Sequence, residues 1–498
     1  MGHTAVVLGD QLLRDHPALD GADRVLFVES LPMLRRRWLH RQRAHVVLSG
    51  MRHFAEELRA GGDVEVVERR AAPSLAAALA DERGPLVAAS PNAPGARAVL
   101  ERAGARLVPS TQFLTPSEDF AAWADGRRRL KMEDFYREQR RRFGVLLDAD
   151  GGPEGGQWNF DPENRRPPRD MPADLRPPEP WQPQEDDIDA EVRRDLETDA
   201  PGLWGEDAPR RFAVTPEEAD HALRSFVEER LPQFGPWQDA MVPGEPWLFH
   251  SLLSVPLNLG VLDPLDAVRA AEAAYRGGGI PLQSAEGFIR QILGWREYVH
   301  GVFWLRQLDG ANALDAHAPL PDAFLGEPSG WNCLDSVVDG VRERGYAHHI
   351  ERLMVLGNTL LLTGVEPGQA VDWFARAFVD GAAWVMAPNA AGMALYADGG
   401  QMTTKPYAAG GNYVNRMSRF CGDCRYDPKQ RTGPDACPLS ALYWDFVDRH
   451  RERLDGNRRM AMPLRSLAKI DPVELDAIRA RAADARAELG VSSPASSP

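Results

Sequence analysis

Residues 284–298, SAEGFIRQILGWREY, set Phe288, Ile292 and Trp295 four and three positions apart, the spacing of one apolar helix face. Helix-start signals stand upstream of it. Thr215-Pro216-Glu217-Glu218 offers a capping hydroxyl, a proline suited to the first turn and two acids that oppose the helix dipole. Asp263-Pro264 repeats the device. Residues 213–498 therefore read as all-α.

The pattern changes toward the amino terminus. Residues 148–212 are rich in Pro, Gly and acids, with Trp158, Trp181 and Trp204 spaced along them. Such a composition suits an interdomain linker, and the tryptophans suggest one wrapped onto the surface. Before it, in 1–147, short β-rich runs recur: Thr4 to Leu8, Arg24 to Val28, His45 to Leu48, Val64 to Val67, Leu86 to Ala89 and Arg106 to Val108. Helical stretches such as Met51 to Ala60 separate them, which predicts βαβ units and a Rossmann-like parallel sheet. No GxGxxG follows a strand, so the dinucleotide fingerprint is absent. Ligands of such sheets sit beyond strand carboxyl ends, which singles out Gly9, Asp10 and Gln11 after the first run and Glu29 after the second.

The 498 residues are 43% hydrophobic with a net charge of −15, which excludes a general polyanion binder. Two basic concentrations stand against that background: Arg127, Arg128, Arg129, Lys131, Arg137, Arg140, Arg141 and Arg142, then Arg451, Arg453, Arg458, Arg459 and Arg465. Each reads as a solvated basic face or as a local patch for nucleic acid, and together they suggest an oriented surface. No apolar run approaches the roughly 20 residues of a membrane span. The amino terminus lacks the basic region, apolar run and cleavage site of a secretory signal, so a cytoplasmic, reducing compartment is expected.

Only four cysteines occur, all in the last third: Cys333, Cys421, Cys424 and Cys437, the last three as C-x2-C-x12-C. Clustering of so scarce a residue points to a metal rather than to inert thiols or disulfides. Zinc favours two C-x2-C knuckles, whereas an iron–sulfur cluster tolerates dispersed ligands. The spacing favours iron–sulfur and leaves zinc open.

The 286–298 helix (EGFIRQILGWREY) resembles a helix of the photolyase/cryptochrome superfamily, and His348-His349-Ile350-Glu351-Arg352 is similar to the His-His-x-x-Arg of (6-4) photolyases. Met51 to Leu58, Trp158 to Arg165, Thr404-Lys405-Pro406-Tyr407 and the four cysteines extend the likeness, which is to the prokaryotic (6-4) photolyases, the iron–sulfur bacterial cryptochromes and photolyases. It runs over nearly the whole chain. It implies an α/β domain carrying a 6,7-dimethyl-8-ribityllumazine antenna and a helical domain holding FAD and a [4Fe-4S] cluster on the four cysteines. The implied activity is light-driven repair of (6-4) photoproducts in DNA by a monomer, with electron transfer from reduced FAD.

The resemblance assigns roles. His349 is the implied proton donor, with His348 as support. The implied FAD contacts are the turn His250, Ser251, Leu252, Leu253 and Ser254, the pair Arg352 and Asp380, and Met386 and Asn389. Trp373 is the implied electron relay, and Trp295 and Tyr407 would meet DNA. Three departures accompany the match. Met386 stands where relatives carry Asn, Asp or Glu near flavin N5. Leu325 replaces a relay tryptophan, with Trp331 displaced nearby and Phe374 following Trp373. Leu353 occupies the place of a second histidine in eukaryotic enzymes. Slower photoreduction than in relatives is therefore expected. The altered relay also keeps a second reading open, a blue-light photoreceptor of the cryptochrome kind that signals without repair.

Overall fold

A computed structural model describes residues 2–36, 38–306 and 308–491. Five strands, β1 (His3–Val7), β2 (Ala22–Val28), β3 (Glu65–Arg69), β4 (Leu86–Ala89) and β5 (Arg106–Val108), form an all-parallel sheet in the order β3-β2-β1-β4-β5. Val6 of central β1 stands opposite Leu26 of β2 and Ala88 of β4. Ala5, Val6, Val7, Val25, Leu26 and Phe27 are at most 1% exposed, so the strands read as unbroken apolar runs because both faces of the sheet are covered. The chain passes from β1 outward to β3, then crosses to β4 on the other side. The switch point where ligands of such sheets bind lies between the carboxyl ends of β1 and β4.

One expected strand is a helix. His45 to Leu48 lies inside Arg41–Gly61, which starts at His40, whose ring accepts from the Gln42 N–H, and stops at Gly62 with φ 73°. Burial of Ala44, His45, Leu48, Met51 and Ala55 follows the helical period, and this period overrode the local β propensity of His-Val-Val-Leu.

The Pro-rich segment is packed, not loose. Its Asp187–Asp199 helix opens with a capping box at Asp186, and buried Asp189 accepts from His45, Ser49 and Arg210. Arg52 of the Arg41–Gly61 helix grips Glu29 through two hydrogen bonds and Asp195 through a third. Further upstream, the Phe160 N–H donates to Glu286, the Asn164 amide to the Gln283 carbonyl, and Arg290 pairs with Asp161. Arg140 and Arg141 lie 4.9 and 4.6 Å over the Trp158 ring.

The remainder is helical from Pro216 to Glu488. The helix read from residues 284–298 runs from 282 to 305 and widens to a π turn over Arg290–Arg296. Other π segments cover Phe226–Arg230, Glu351–Gly357 and Ala387–Ala394. Such insertions cost backbone regularity and gather at functional sites; here they carry Arg230, Arg352 and Asn389. One hydrophobic core joins sheet residues such as Val7 to Phe249, Phe288 and Tyr298 of the helical part. A second surrounds the cysteines through Trp331, Leu334, Phe420 and Leu439.

Candidate functional site

Three imidazoles meet where the chain enters the Glu351–Gly357 segment. The His250 and His348 rings stack at 4.8 Å with 12° between planes, and His349 stands 5.6 Å from His250. His348 and His250 are buried, while the His349 side chain is half exposed. His348 precedes the helix and His349 opens it, so the adjacent rings diverge. The His349 Nε2–H donates to Asp239 Oδ1 at 3.2 Å.

Burial, then the neighbouring His349 and Arg230, holds the His250 pKa well below the usual imidazole range. Burial, then His250 and His349, does the same to His348. Both rings are neutral at neutral pH. Burial raises Glu351, which accepts from the His348 N–H, to about 7, and lowers Arg230 to about 10. His250 Nε2, both ring nitrogens of His348, and Nε and Nη1 of Arg230 are buried without a hydrogen-bond partner in the protein, although His348 Nε2 lies 3.6 Å from Glu351 Oε1. Native interiors rarely leave so many polar atoms unsatisfied in one place. The donor set suits a polar cofactor lying against it.

The other residues expected at this site converge on it. Arg352 clamps Asp380 through both terminal nitrogens at 2.9 and 3.2 Å and stacks 4.1 Å over Phe378. The 249–254 turn is framed by Leu248 and Leu252, whose φ angles of 40° and 61° lie in the left-handed region. Non-glycine residues hold that conformation only when surroundings impose it, commonly at ligand sites. Ser251 Oγ accepts from the Leu253 N–H, and the Asn258 amide donates to the Asp380 carbonyl at 3.0 Å, tying the helix after the turn to the Arg352 pair. Met386 is buried, and the Asn389 amide donates to Val385.

Tyr407 is partly buried, with Arg165, Asp161 and Arg459 in its electrostatic surroundings. The Pro-rich segment and the second basic concentration therefore meet at this tyrosine. Trp295 is half-buried against Tyr298. The first basic concentration is divided: Arg140 is buried, donating to the Val145, Leu146 and Trp158 carbonyls, and this removes it from any surface role. Arg128, Arg129, Lys131 and Arg137 are exposed.

The four cysteines line a single cavity with Trp331, Val414, Phe420 and Tyr426. Burial, then the neighbouring thiols, raises Cys333 and pushes Cys421 up to about 12, so in a metal-free state they would be protonated. A Cβ on Gly411 would lie 2.6 Å from Cys437 Sγ, so glycine lets the backbone pass the sulfur. Among the described residues, the groups of three or more whose candidate ligand atoms all lie within 4.8 Å of one another are His250-His348-His349 and His53-Asp186-Asp189, and the cysteines form none. Tetrahedral zinc would bring the sulfurs to about 3.8 Å from one another, given Zn–S near 2.3 Å.

Gly9, Asp10 and Gln11 lie at the β1/β4 switch point. The Gln11 amide donates to the Ser90 carbonyl and its Oε1 is buried without a partner. Asp10 is hydrogen-bonded to Asn92, and burial raises its pKa. Gln112 reaches the Asp10 and Asn258 carbonyls, so this crevice abuts the turn segment of the helical part. Glu29 stands beyond β2, its carboxylate taken by Arg52.

Trp373 is buried and donates to the Phe324 carbonyl at 2.8 Å. Leu325, the next residue, is 44% exposed, and its carbonyl accepts from the half-buried Trp204. Trp331 lines the cysteine cavity and donates to Glu488. Leu353 packs against the second core.

Sequence reading did not single out Asp239, Arg230 or Asn258. Their one advance signal was proximity to helix ends, which is common to many polar residues.

Residues 5–212 match the family described as deoxyribodipyrimidine photo-lyase-related protein. The chain is 41% identical to a (6-4) photolyase of Agrobacterium fabrum, over 97% of this chain and 99% of that one. An uncharacterised protein of Acanthamoeba polyphaga mimivirus is 30% identical over 107 residues, 22% of this chain and 80% of its own. Among solved structures, a bacterial class III photolyase from Agrobacterium tumefaciens superposes with a TM-score of 0.56 at 17% identity, covering 98% of both chains.

Proposed function

The chain belongs to the (6-4) photolyase family, and we propose that it repairs (6-4) pyrimidine photoproducts in DNA under light, with His349 giving a proton to the lesion. The carrying observation is the His349–Asp239 contact at the edge of a buried, neutral histidine pair. Asp239 fixes the orientation of the ring through the hydrogen bond from Nε2. A half-exposed ring so held can deliver a proton to a substrate entering from solvent.

The unsatisfied atoms of His250, His348 and Arg230 fit FAD, which the Ser251–Ser254 turn, Arg352, Asp380 and Asn389 would hold. When bound, it supplies the light-driven electron. The residues do the rest. Arg352, anchored by Asp380, fixes a positive charge. Met386 offers no group to exchange a proton. Tyr407 and Trp295 offer aromatic surfaces to a flipped nucleotide, whose extrusion costs a few kcal/mol, and Arg165 and Arg459 meet flanking phosphates.

The wide cysteine spacing favours a [4Fe-4S] cluster over one zinc ion, held by Cys333, Cys421, Cys424 and Cys437. The β1/β4 crevice at Gly9, Asp10 and Gln11 suits a lumazine antenna, its distance to the helical part kept short by Gln112. Repair is tested by illuminating purified protein with a (6-4)-containing oligonucleotide. Lesion loss in light and not in darkness, abolished by His349→Ala, is expected. Intact lesions would instead favour a photoreceptor.

A further inference from the structure

A cavity of 220 Å3 opens between the 312–318 loop, the end of the Asn358–Thr363 helix and the Pro438–Arg449 and Pro472–Glu488 helices. Neither the histidine cluster nor any cysteine lines it. Its polar wall carries Arg449, Arg486, His317 and His450, the last held uncharged at neutral pH by burial, with Asp315 as the one carboxylate. Asp315 is already engaged, by His317 at 2.8 Å and Arg453 at 3.4 Å. Arg449 and Arg486 share a single carboxylate oxygen, Oδ2 of Asp445. The two arginines that line the cavity thus divide one carboxylate, Asp445, between them.

The donors are also underused. Arg486 is 8% exposed, and among the described residues only its Nη2 has an acceptor, Asp445. Arg449 donates Nε to Asp445 and Nη2 to the Leu362 carbonyl, which leaves Nη1 with a 3.5 Å contact to His450. The remaining guanidinium N–H groups of Arg486 and Arg449 are open to the cavity they line, and their fork matches the oxygens of a carboxylate or phosphate. The facing wall is apolar, with Leu314, Leu361, Val365 and Leu395.

We propose that this cavity binds a small organic oxyanion, a phosphate monoester or a carboxylate, with its head on Arg486 and Arg449 and its apolar body on Leu361 and Leu395. The volume falls just below the roughly 300–1,000 Å3 of ordinary ligand pockets, which suits a mononucleotide-sized occupant better than a dinucleotide.

The test is calorimetric titration of the flavin-loaded full chain, at constant ionic strength, with thymidine 5′-monophosphate, benzoate, inorganic phosphate and uncharged thymidine. Saturable one-to-one binding of the monophosphate or of benzoate is expected, weaker binding of inorganic phosphate, and none of thymidine; which organic anion binds identifies the head group. Arg486→Gln leaves Asp445 paired with Arg449, so it should fold, and should weaken binding at least tenfold. Leu395→Trp fills the apolar side without touching a cation and should abolish binding, giving a second variant if the first does not fold. Absence of saturable binding by either organic anion, undiminished binding in a folded variant, or displacement by lesion-free duplex DNA would each overturn the proposal.

Discussion

His349 Nε2 lies 3.2 Å from Asp239 Oδ1, while the neighbouring His348 ring is buried with neither nitrogen hydrogen-bonded, its Nε2 3.6 Å from Glu351 Oε1. Two adjacent histidines thus have opposite environments: one solvent-facing and anchored to an anion, the other desolvated and neutral.

His349→Ala should reduce light-driven lesion repair by about a hundredfold or more, the usual scale for a lost general acid. Asp239→Asn should keep flavin binding and lower repair by about tenfold, because the ring loses its ionic anchor. Repair rates on a (6-4) oligonucleotide, with flavin content measured in parallel, check both. Full activity in Asp239→Asn would remove the positioning role.

Buried acids and histidines make the fold acid-sensitive. Asp189 is held far below the usual carboxylate range despite burial, by hydrogen bonds from His45 and Arg210. Its folded pKa is depressed, so its stabilisation is complete above the unfolded value near 3.9 and is lost as pH falls below that. His40, lowered to about 4 by burial, acts earlier: the unfolded ring protonates near 6.5 and the folded one does not, so stability declines from there to about pH 4. The melting temperature should fall across both windows. His16, His250, His300, His348 and His450, all lowered by burial, add to the upper window, so His40→Asn should reduce its slope without removing it, and an unchanged pH slope in that variant would refute the contribution of His40. Asp189→Asn should cost about 1–3 kcal/mol at neutral pH, because it takes the carboxylate from His45 and Ser49 and leaves Arg210 with Glu218 alone.

Gly411→Ala would place a methyl 2.6 Å from Cys437 Sγ and 2.9 Å from Ser440 Oγ. The sulfur must move, so iron and sulfide content per chain should drop sharply while the amino-terminal sheet stays folded. Normal content in the variant would mean that the backbone there is free to shift.

Leu325 is 44% exposed, so a larger ring can be accommodated without opening the core. Leu325→Trp should speed photoreduction of the bound flavin severalfold, followed by its absorption under constant light. Equal rates would show that electrons reach Trp373 without this position.

Local pattern went far in some elements. The proline-marked starts at Thr215 and Asp263 are helix caps, the first hydroxyl and the second carboxylate accepting from first-turn N–H groups, because a cap involves only neighbours in the chain. The run His45 to Leu48 misled because its β-branched composition is local, whereas its helical burial depends on docking against Val192 and Leu196 of a segment some 150 residues away. Arg140 misled likewise: its charge reads as surface, but the chain folds three carbonyls around it. Asp239 was invisible because nothing within its own segment distinguishes it from other acids.

By itself, the sequence determined the α/β-then-helical order, the cysteine set and the family likeness on the 286–298 helix and the His348-His349 pair, since periodicity, caps and motif spacing are properties of contiguous residues. Tertiary structure alone decided which side chains meet. It set Asp239 against His349 and brought Gln112 to the back of the turn segment. It also left Arg486 with idle donors over a cavity. Those outcomes depend on desolvation and on contacts between residues distant in the chain, neither of which a linear pattern encodes.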